Sequence, residues 1–211
     1  MTQTTINEGQ VGKMQEYYTF HSKIYDLTRW SFLFGRKRLV KRLPFKRDDD
    51  VSIMEVGCGT GYNLVKLHKF YPKAQLVGID VSAEMLHIAK KNTAKAKANI
   101  ALIQEAYGDN TLKVNKFDAI IFSYSLSMIN PAWEELINHA LGNLKRGGVL
   151  AVTDFHNSRF DFFKNWMGVN HVKMEGHLLD FLSKRLPENN FKVCSAYGGI
   201  WEYFTFQGKK A

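Results

Sequence analysis

The sequence predicts an α/β fold, a doubly wound and mostly parallel seven-stranded sheet with N-terminal helices. Short apolar runs alternate with helical segments from residue 51 to residue 155. Such alternation produces right-handed βαβ units and therefore a parallel sheet. The first run leads directly into a glycine-rich turn at residues 57–61, which is typical of a buried strand. Two late β-rich segments, residues 191–196 and 201–206, are expected to close the sheet.

The predicted elements follow one another in a regular order. Residues 11–43 have a helical pattern, which Gly35 is expected to break and Pro44 to end. Ser82 makes a good N-cap for a later helix. Five strands are predicted at residues 51–56, 75–80, 100–104, 117–123 and 149–155, the last after a turn at Gly147 and Gly148. Helices are predicted between them at residues 60–70, 82–95 and 131–144.

Cysteine content and hydropathy indicate the compartment. Cys58 and Cys194 are too few for a disulfide framework and lie in no Cys/His cluster, so we expect a reducing cytosol and no metal site. The first 20 residues contain no apolar run long enough for a signal peptide. No stretch reaches the roughly 18 apolar residues of a membrane-spanning helix. We therefore expect a cytoplasmic protein, which can still bind peripherally to the inner face of a membrane.

The net charge of +9 is concentrated in residues 23–47, called here the basic segment. It contains nine lysines and arginines and one acid, Asp26, so the remainder of the chain is close to neutral. A local excess of cations indicates an acidic partner, either a lipid surface or a nucleic acid. Two interpretations stay open. The segment is a solvated cationic face, or an interfacial helix whose apolar residues, including Leu39 and Val40, face an anionic bilayer.

The glycine-rich turn has a spacing with chemical meaning. Glu55 is followed by Gly57, Gly59 and Gly61, which is GxGxG rather than the GxGxxG of dinucleotide enzymes. An acid just before the glycines would repel a pyrophosphate but suits a ligand with an amino group and a sulfonium. Asp80 ends the second predicted strand, where a carboxylate can accept hydrogen bonds from both hydroxyls of a ribose. The glycine spacing, Glu55 and Asp80 all indicate such a ligand, which disfavours a turn that serves packing alone.

Residues 51–155 resemble motifs I and II of the class I S-adenosylmethionine-dependent methyltransferases, a Rossmann-like family. The resemblance implies S-adenosyl-L-methionine as cofactor and S-adenosyl-L-homocysteine as product, with the three glycines under the methionine part and Asp80 on the ribose. Glu105 falls where the family usually has an Asp near the adenine amine. Met85 lies against the adenine ring or, alternatively, in the core. The predicted cofactor-binding residues are Glu55, Gly57, Cys58, Gly59, Gly61, Asp80, Val81, Met85, Glu105, Ala106 and Ser123.

The end of the fourth predicted strand normally faces the transferred methyl group in this family. Methyltransferases of base amines carry Asp/Asn-Pro-Pro-aromatic there, whereas this chain has FSYSLSMI, so a nucleic-acid acceptor is disfavoured. IYDLTR at residues 24–29, Gly35 with Arg36, and SYSLSMI at residues 123–129 resemble the betaine-lipid N-methyltransferases and the related phosphatidylethanolamine N-methyltransferases. The resemblance implies N-methylation of the amine head group of a membrane lipid. The basic segment would then contact an anionic membrane.

Aromatic residues are candidates for the walls of the acceptor site, because a quaternary ammonium is attracted to ring faces. Tyr25 and Tyr124 lie inside the two resembling motifs and are predicted to be catalytic, with packing as the alternative. His21 is a candidate for moving a proton, with a solvated helix face as the alternative. The aromatic stretch after residue 155 forms either a belt beside the active site or a lid packed on the sheet.

In this interpretation the chain is a single domain, residues 1–211, in three parts. Residues 1–45 form a helical cap, residues 51–155 the cofactor-binding core, and residues 156–211 a substrate-side insert with the closing strands. Two rival functions stay open, namely the same chemistry on a soluble small amine or acid and a non-catalytic lipid-binding relative. A nicotinamide-dependent reductase is disfavoured by the glycine spacing.

Overall fold

A computed structural model describes residues 32–98, 100–108, 116–129, 131–169 and 172–211 of the chain. The strands in these residues are β1 Ser52–Val56, β2 Gln75–Asp80, β3 Ile100–Gln104, β4 Phe117–Ser123, β5 Leu144–Phe155, β6 Asn189–Ala196 and β7 Trp201–Lys209. The helices are α1 Arg36–Lys41, α2 Tyr62–Phe70, α3 Ala83–Lys95, α4 Trp133–Asn143, α5 Asp161–Val169 and α6 His177–Arg185. Two short 3₁₀ helices cover Leu126–Met128 and Tyr197–Gly199.

The strands form one sheet in the order β3-β2-β1-β4-β5-β7-β6. Strands β1 to β5 pair in parallel, whereas β7 runs antiparallel to both β5 and β6. The doubly wound, mostly parallel seven-stranded sheet expected from the sequence is therefore confirmed. The strand order reverses between β1 and β4, and open α/β sheets bind ligands beyond the carboxyl ends of their strands at such a point.

Strand β5 begins earlier than the glycine pair predicts. Pairing with β4 starts at Leu144, skips residues 145–148 and resumes at Val149. Within the skipped stretch Gly147 has a φ of 75°, and its N–H donates to the carbonyl of Lys210 over 2.8 Å. The glycine pair therefore forms a bulge inside a strand rather than a turn before it.

Helices and strands bury apolar side chains on both faces of the sheet. On β4, Ile120 and Phe122 join a core with α4 and α6, whereas Ala119 and Ile121 join a core with α1, α2 and α3. Successive strand residues point to opposite faces, which is why one strand serves both cores. Because both faces are covered, as is usual for parallel sheets, the strand ends are the natural place for a ligand site.

Helix α1 is the described part of the helical region predicted at residues 11–43, and Gly35 breaks that region as expected. Gly35 precedes α1 with a φ of 79°. A Cβ at this position would lie 2.8 Å from the Tyr203 ring and 3.0 Å from Thr153 Oγ1, so α1 starts in direct contact with β5 and β7. Residues before 32 lie outside the described part of the chain.

The apolar side of α1 faces the protein, so the interpretation in which Leu39 and Val40 face a bilayer is wrong. Leu39 and Val40 are buried in the core that α1 shares with α2 and the sheet. Lys37, Lys41 and Arg42 are exposed. The exposed side of this helix therefore carries cations. None of the helices in the described residues combines the length and the apolar content needed to cross a membrane.

Candidate functional site

The loop after β1 turns tightly because its three glycines adopt left-handed backbone conformations. Gly57, Gly59 and Gly61 have φ values of 70°, 52° and 75°, which side chains with a Cβ rarely adopt. The N–H groups of Gly57 and Cys58 donate to the carbonyl of Ile79 over 2.9 and 3.1 Å. The loop is therefore tied to β2, and at its three glycines the backbone carries no side chain at the carboxyl edge of the sheet.

Asp80 holds the same loop through its carboxylate. Gly59 N–H donates to Oδ2 over 2.7 Å, and Ser82 N–H donates to Oδ1 over 3.0 Å. Ser82 in turn caps α3, as the sequence predicts, by accepting a hydrogen bond from the N–H of Met85 over 3.3 Å. A carboxylate oxygen accepts more than one hydrogen bond, so Asp80 can position the loop and still accept from a ligand hydroxyl.

A pocket of about 140 Å³ opens beside this loop. It is smaller than the roughly 300–1,000 Å³ of typical small-molecule sites, so it accommodates one end of a cofactor rather than all of it. Five of the predicted cofactor-binding residues line it: Glu55, Gly57, Cys58, Gly59 and Ser123. Five lining residues were not predicted: Leu33, Arg36, Thr60, Tyr62 and Asn63. Asp80 lies outside this lining.

Glu55 brings a buried negative charge to the pocket from the end of β1. Its Oε1 accepts a hydrogen bond of 2.6 Å from Nδ2 of Asn63 in the first turn of α2, and both residues are buried. Sequence reasoning missed Asn63, although an asparagine two residues after the last glycine of the loop was an available signal. The pair gives the pocket a fixed carboxylate, which attracts a cationic ligand in a site of low dielectric.

Leu33, from the segment before α1, and Arg36, the first residue of α1, also line the pocket. Arg36 donates from Nε to the carbonyl of Leu33 over 3.1 Å, and its guanidinium lies 4.2 Å from the centre of the Tyr62 ring. Arginine over an aromatic ring is a favourable cation–π arrangement. The pocket lining therefore includes both a carboxylate and a guanidinium. Arg36 was noted in the sequence only as part of the basic segment and of a motif.

Ser123 and Tyr124 follow each other at the end of β4 but have different environments. Ser123 Oγ lines the pocket, is buried, and has no hydrogen-bond partner among the described residues. The Tyr124 ring packs edge-on against Phe155, and its hydroxyl donates to the carbonyl of Phe34 over 2.8 Å. Burial raises the pKa of Tyr124 well above its ordinary value. Tyr124 thus ties β4 to the segment before α1, and its predicted catalytic role stays a prediction.

The other predicted site residues lie in varied places. Cys58 is buried, and burial, with the Glu55 and Asp80 charges, raises the pKa of its thiol. Met85 is buried in the first turn of α3 outside the pocket lining, whereas Glu105 and Ala106 are exposed after β3 and Val81 is half-buried. Gly61 allows α2 to approach α3, because a Cβ there would lie 3.1 Å from Cβ of Ala89. Tyr25 and His21 lie outside the described residues.

Asp154, a residue not predicted for the site, holds the loop after β4. It ends up fully buried near the end of β5, and it accepts hydrogen bonds from the N–H and Oγ of Ser127 and from the N–H of Phe155. These bonds fix the 3₁₀ turn that contains Ser127 beside the end of β4. Burial raises the pKa of Asp154 to about 6, although the hydrogen bonds oppose that rise.

The raised pKa of Asp154 predicts a pH-dependent stability. The folded chain binds this proton more tightly than the unfolded chain, so the associated stabilisation is complete below the unfolded pKa and is lost as the pH rises through about 6. Its size is about 2–3 kcal/mol. Between about pH 4 and about pH 8, urea unfolding should show that the free energy of unfolding of the wild type falls by this amount relative to that of Asp154→Asn, whose side chain cannot titrate. If the difference in unfolding free energy between the two proteins did not change with pH, the raised pKa of Asp154 would be contradicted.

Comparisons with known proteins agree with this geometry. Residues 53–148 match the family described as "Methyltransferase domain". The chain is 27% identical over 150 residues to malonyl-[acyl-carrier protein] O-methyltransferase of Priestia megaterium, covering 70% of this chain and 53% of that protein. It is 27% identical over 198 residues to demethylmenaquinone methyltransferase of Lactococcus lactis, covering 92% and 77%. The chain spans about half the length of several curated relatives it matches.

A solved structure shows the same fold. Phosphoethanolamine N-methyltransferase 2 of Haemonchus contortus, in complex with S-adenosyl-L-methionine, has a TM-score of 0.70 at 14% identity, covering 83% of this chain and 52% of that one. Together with the glycine loop and Asp80, the family match decides the class. The chain carries a class I S-adenosylmethionine-dependent methyltransferase domain.

The methyltransferase pocket fits its cofactor chemically. S-adenosylmethionine supplies, when bound, a methyl group on a positively charged sulfur. The Glu55 carboxylate provides negative charge for a cationic ligand. The Ser123 hydroxyl has no hydrogen-bond partner among the described residues, so it can bond to a ligand. The glycine loop leaves room for a ligand against its backbone, and Asp80 offers acceptor sites at the neighbouring strand end. Glu55, Ser123 and the glycine loop would hold the methionine part of the cofactor, and Asp80 would hold the ribose.

Proposed function

We propose that this chain transfers methyl groups from S-adenosylmethionine to the amine of a membrane-lipid head group. The observation that carries the proposal is the composition of the pocket. Leu33 and Arg36, from the basic segment, line it together with Glu55 and the glycine loop. The Arg36 guanidinium in the lining favours a head group with an anionic phosphate or carboxylate beside its amine.

The end of β4 supports an amine acceptor that is not a nucleic-acid base. The Ser-Tyr-Ser-Leu-Ser-Met-Ile sequence after Phe122 resembles that of betaine-lipid N-methyltransferases, and the motif before α1 adds to the resemblance. The phosphoethanolamine N-methyltransferase of similar fold demonstrates that this architecture hosts amine methylation in another protein. At 14% identity it supports the fold and assigns no residue of this chain.

A second candidate acceptor is a soluble or carrier-borne carboxylic acid. Arg36 in the pocket lining suits a carboxylate, since a planar guanidinium binds such groups in a bidentate manner. The relative from Priestia megaterium is a malonyl-[acyl-carrier protein] O-methyltransferase. An acid of this kind would bind the same arginine as a lipid head group would. The two candidate acceptors therefore differ only in the group that is methylated and in whether the acceptor is part of a membrane.

The two candidates are separated by following the methyl group. Purified protein with methyl-labelled S-adenosylmethionine is incubated with vesicles that contain phosphatidylethanolamine, and in parallel with ethanolamine, phosphoethanolamine or malonate in solution. We expect label in the organic phase with vesicles only. Label that enters only the water-soluble acceptors would overturn the lipid proposal and leave the methyltransferase assignment unchanged.

The exposed cations of α1 provide a prediction on how the lipid is reached. Reversing Lys37, Lys41 and Arg42 to Glu should weaken binding to anionic vesicles at least about tenfold, because each cation near such a surface contributes about 1 kcal/mol. The effect should shrink as salt rises, since charges are screened within about 8 Å at physiological ionic strength. Vesicle co-sedimentation measures it.

A variant of α3 provides the matched control for this reversal. Lys90, Lys91 and Lys95 are also exposed, and reversing them changes the net charge by the same amount. Cofactor affinity should be unchanged in both variants, because none of these six residues lines the pocket. Equal losses in the two variants would mean that net charge alone governs vesicle binding. Full retention by the α1 variant would mean that α1 presents a solvated face.

A further inference from the structure

Helix α5 has one buried and one exposed apolar face. Phe163 and Met167 pack into a core with Tyr124, Phe155 and Trp201. On the other side, Phe162, Trp166 and Val169 are exposed by 69%, 52% and 76%. These three follow the helical spacing of four and then three residues, so they form one row along the helix. One face of the helix therefore packs against the protein, and the other exposes apolar side chains.

The exposed row of α5 continues into neighbouring aromatic residues. The Trp166 ring lies 6.1 Å from the ring of Phe32, which lies 6.1 Å from that of Tyr197. Tyr197 is 5.6 Å from Phe34, and both are exposed. We call the exposed apolar surface formed by Phe34, Phe162, Trp166, Val169 and Tyr197 the aromatic ridge. Monomeric soluble proteins rarely expose large side chains contiguously unless the surface binds a partner.

The aromatic ridge borders both the pocket and the exposed cations. Within one short segment, Phe34 belongs to the ridge, while Leu33 and Arg36 line the pocket. Lys37 and Lys41 follow on α1 and are exposed. Asp161 begins α5, where its negative charge suits the helix N-terminus. Cations beside exposed aromatic side chains match a surface of anionic phosphates over an apolar layer.

We propose that the aromatic ridge inserts into the interface of an anionic phospholipid bilayer and turns the pocket mouth toward the head groups. The inference deepens the proposed function and relies on it for the identity of the acceptor. Phe162 and Trp166 enter the boundary between head groups and acyl chains, and the α1 cations meet the phosphates. A lipid amine then reaches the pocket past Leu33 and Arg36 without leaving the membrane.

The test measures binding of the full chain to phosphatidylcholine vesicles with and without phosphatidylglycerol. Neither lipid has a primary amine, so binding is read independently of methylation. The variant is Phe162→Ser with Val169→Ser, whose side chains are mostly exposed and thus contribute little to the fold. Its control is Phe191→Ser, a 51% exposed aromatic residue on edge strand β6. S-adenosylmethionine affinity checks that every variant is folded.

We expect the double variant to bind anionic vesicles at least about tenfold more weakly than the wild type, since interfacial binding scales with the apolar area inserted. The Phe191→Ser control should bind as the wild type does. Trp166 emission should shift to the blue on vesicles, and Trp166→Phe should lose most of that shift. Unchanged vesicle affinity in the double variant would overturn the proposal.

Other results assign the aromatic ridge differently. If the wild type ignores vesicles but forms a dimer that the double variant abolishes, the ridge is a contact between copies of the chain and the proposal fails. Ridge-dependent vesicle binding without transfer of methyl to any lipid would retain this inference and reject the proposed acceptor. Lipid methylation that is unaffected by the double variant would do the reverse.

Discussion

Replacing Gly59 with valine is expected to abolish S-adenosylmethionine binding while the protein remains folded. Gly59 has a φ of 52°, and its N–H donates to Oδ2 of Asp80 over 2.7 Å. A β-branched residue cannot hold this conformation without strain, which costs about 1–2 kcal/mol. The loop would shift, its contact with Asp80 would be lost, and the new side chain would occupy space in the pocket. Calorimetric titration measures the affinity.

The control for this variant is Gly142→Val. Gly142 lies in α4, and a Cβ there meets no atom within 4 Å. It should bind the cofactor as the wild type does, and circular dichroism should be unchanged for both proteins. Tight binding by Gly59→Val would contradict the placement of the cofactor against the glycine loop.

Replacing Asp80 with alanine is expected to weaken cofactor binding at least about a hundredfold. Two hydrogen bonds from ribose hydroxyls to a carboxylate contribute roughly 1.5–3 kcal/mol each, and the loop held through Gly59 would also loosen. Since Ser82 N–H loses its acceptor as well, the free energy of unfolding should fall by about 1–3 kcal/mol. Titration and urea unfolding measure the two effects separately.

Asp80→Asn keeps one acceptor oxygen and should lie between the wild type and Asp80→Ala. Asp48→Ala is the matched control, because Asp48 is an exposed carboxylate in the loop before β1. An unchanged dissociation constant in Asp80→Ala would show that another carboxylate, Glu55 or Glu105, holds the ribose.

The parallel part of the fold is predictable because its signals are local. Each strand from β1 to β4 is a short apolar run, and some helix starts have a local signal, as Ser82 and Gly35 illustrate. The start of β5 was not predicted correctly, because the pairing of Leu144 with β4 and the bonding of Gly147 to Lys210 join residues far apart in the chain. Such pairings have no signature in a local window.

The orientation of α1 shows where pattern alone misleads. Alternating cations and apolar residues fit equally well a helix on a bilayer and a helix on a sheet. The close approach of Gly35 to Tyr203 and Thr153 places the helix on the sheet, and both residues lie more than a hundred positions from Gly35 in the sequence. Charge at the surface was therefore predictable, whereas the fate of Leu39 and Val40 was not.

The candidate site divides in the same way. Four residues from local motifs line the pocket, namely Glu55, Gly57, Gly59 and Ser123. Arg36 over Tyr62 and Asn63 beside Glu55 arise from tertiary contacts, which the sequence does not rank. The same holds for Asp154, whose hydrogen bonds reach Ser127 across two strand ends.

Methylation of a lipid amine inside the cell tests the central claim most directly. Lipid extracts of cells that express the wild type, the Asp80→Ala variant or no copy of the protein are compared by mass spectrometry. The account predicts amine lipids heavier by one or more methyl groups with the wild type and none above background with Asp80→Ala. Identical lipid profiles in all three extracts, from cells in which the wild-type protein is folded and binds S-adenosylmethionine, would contradict the lipid acceptor.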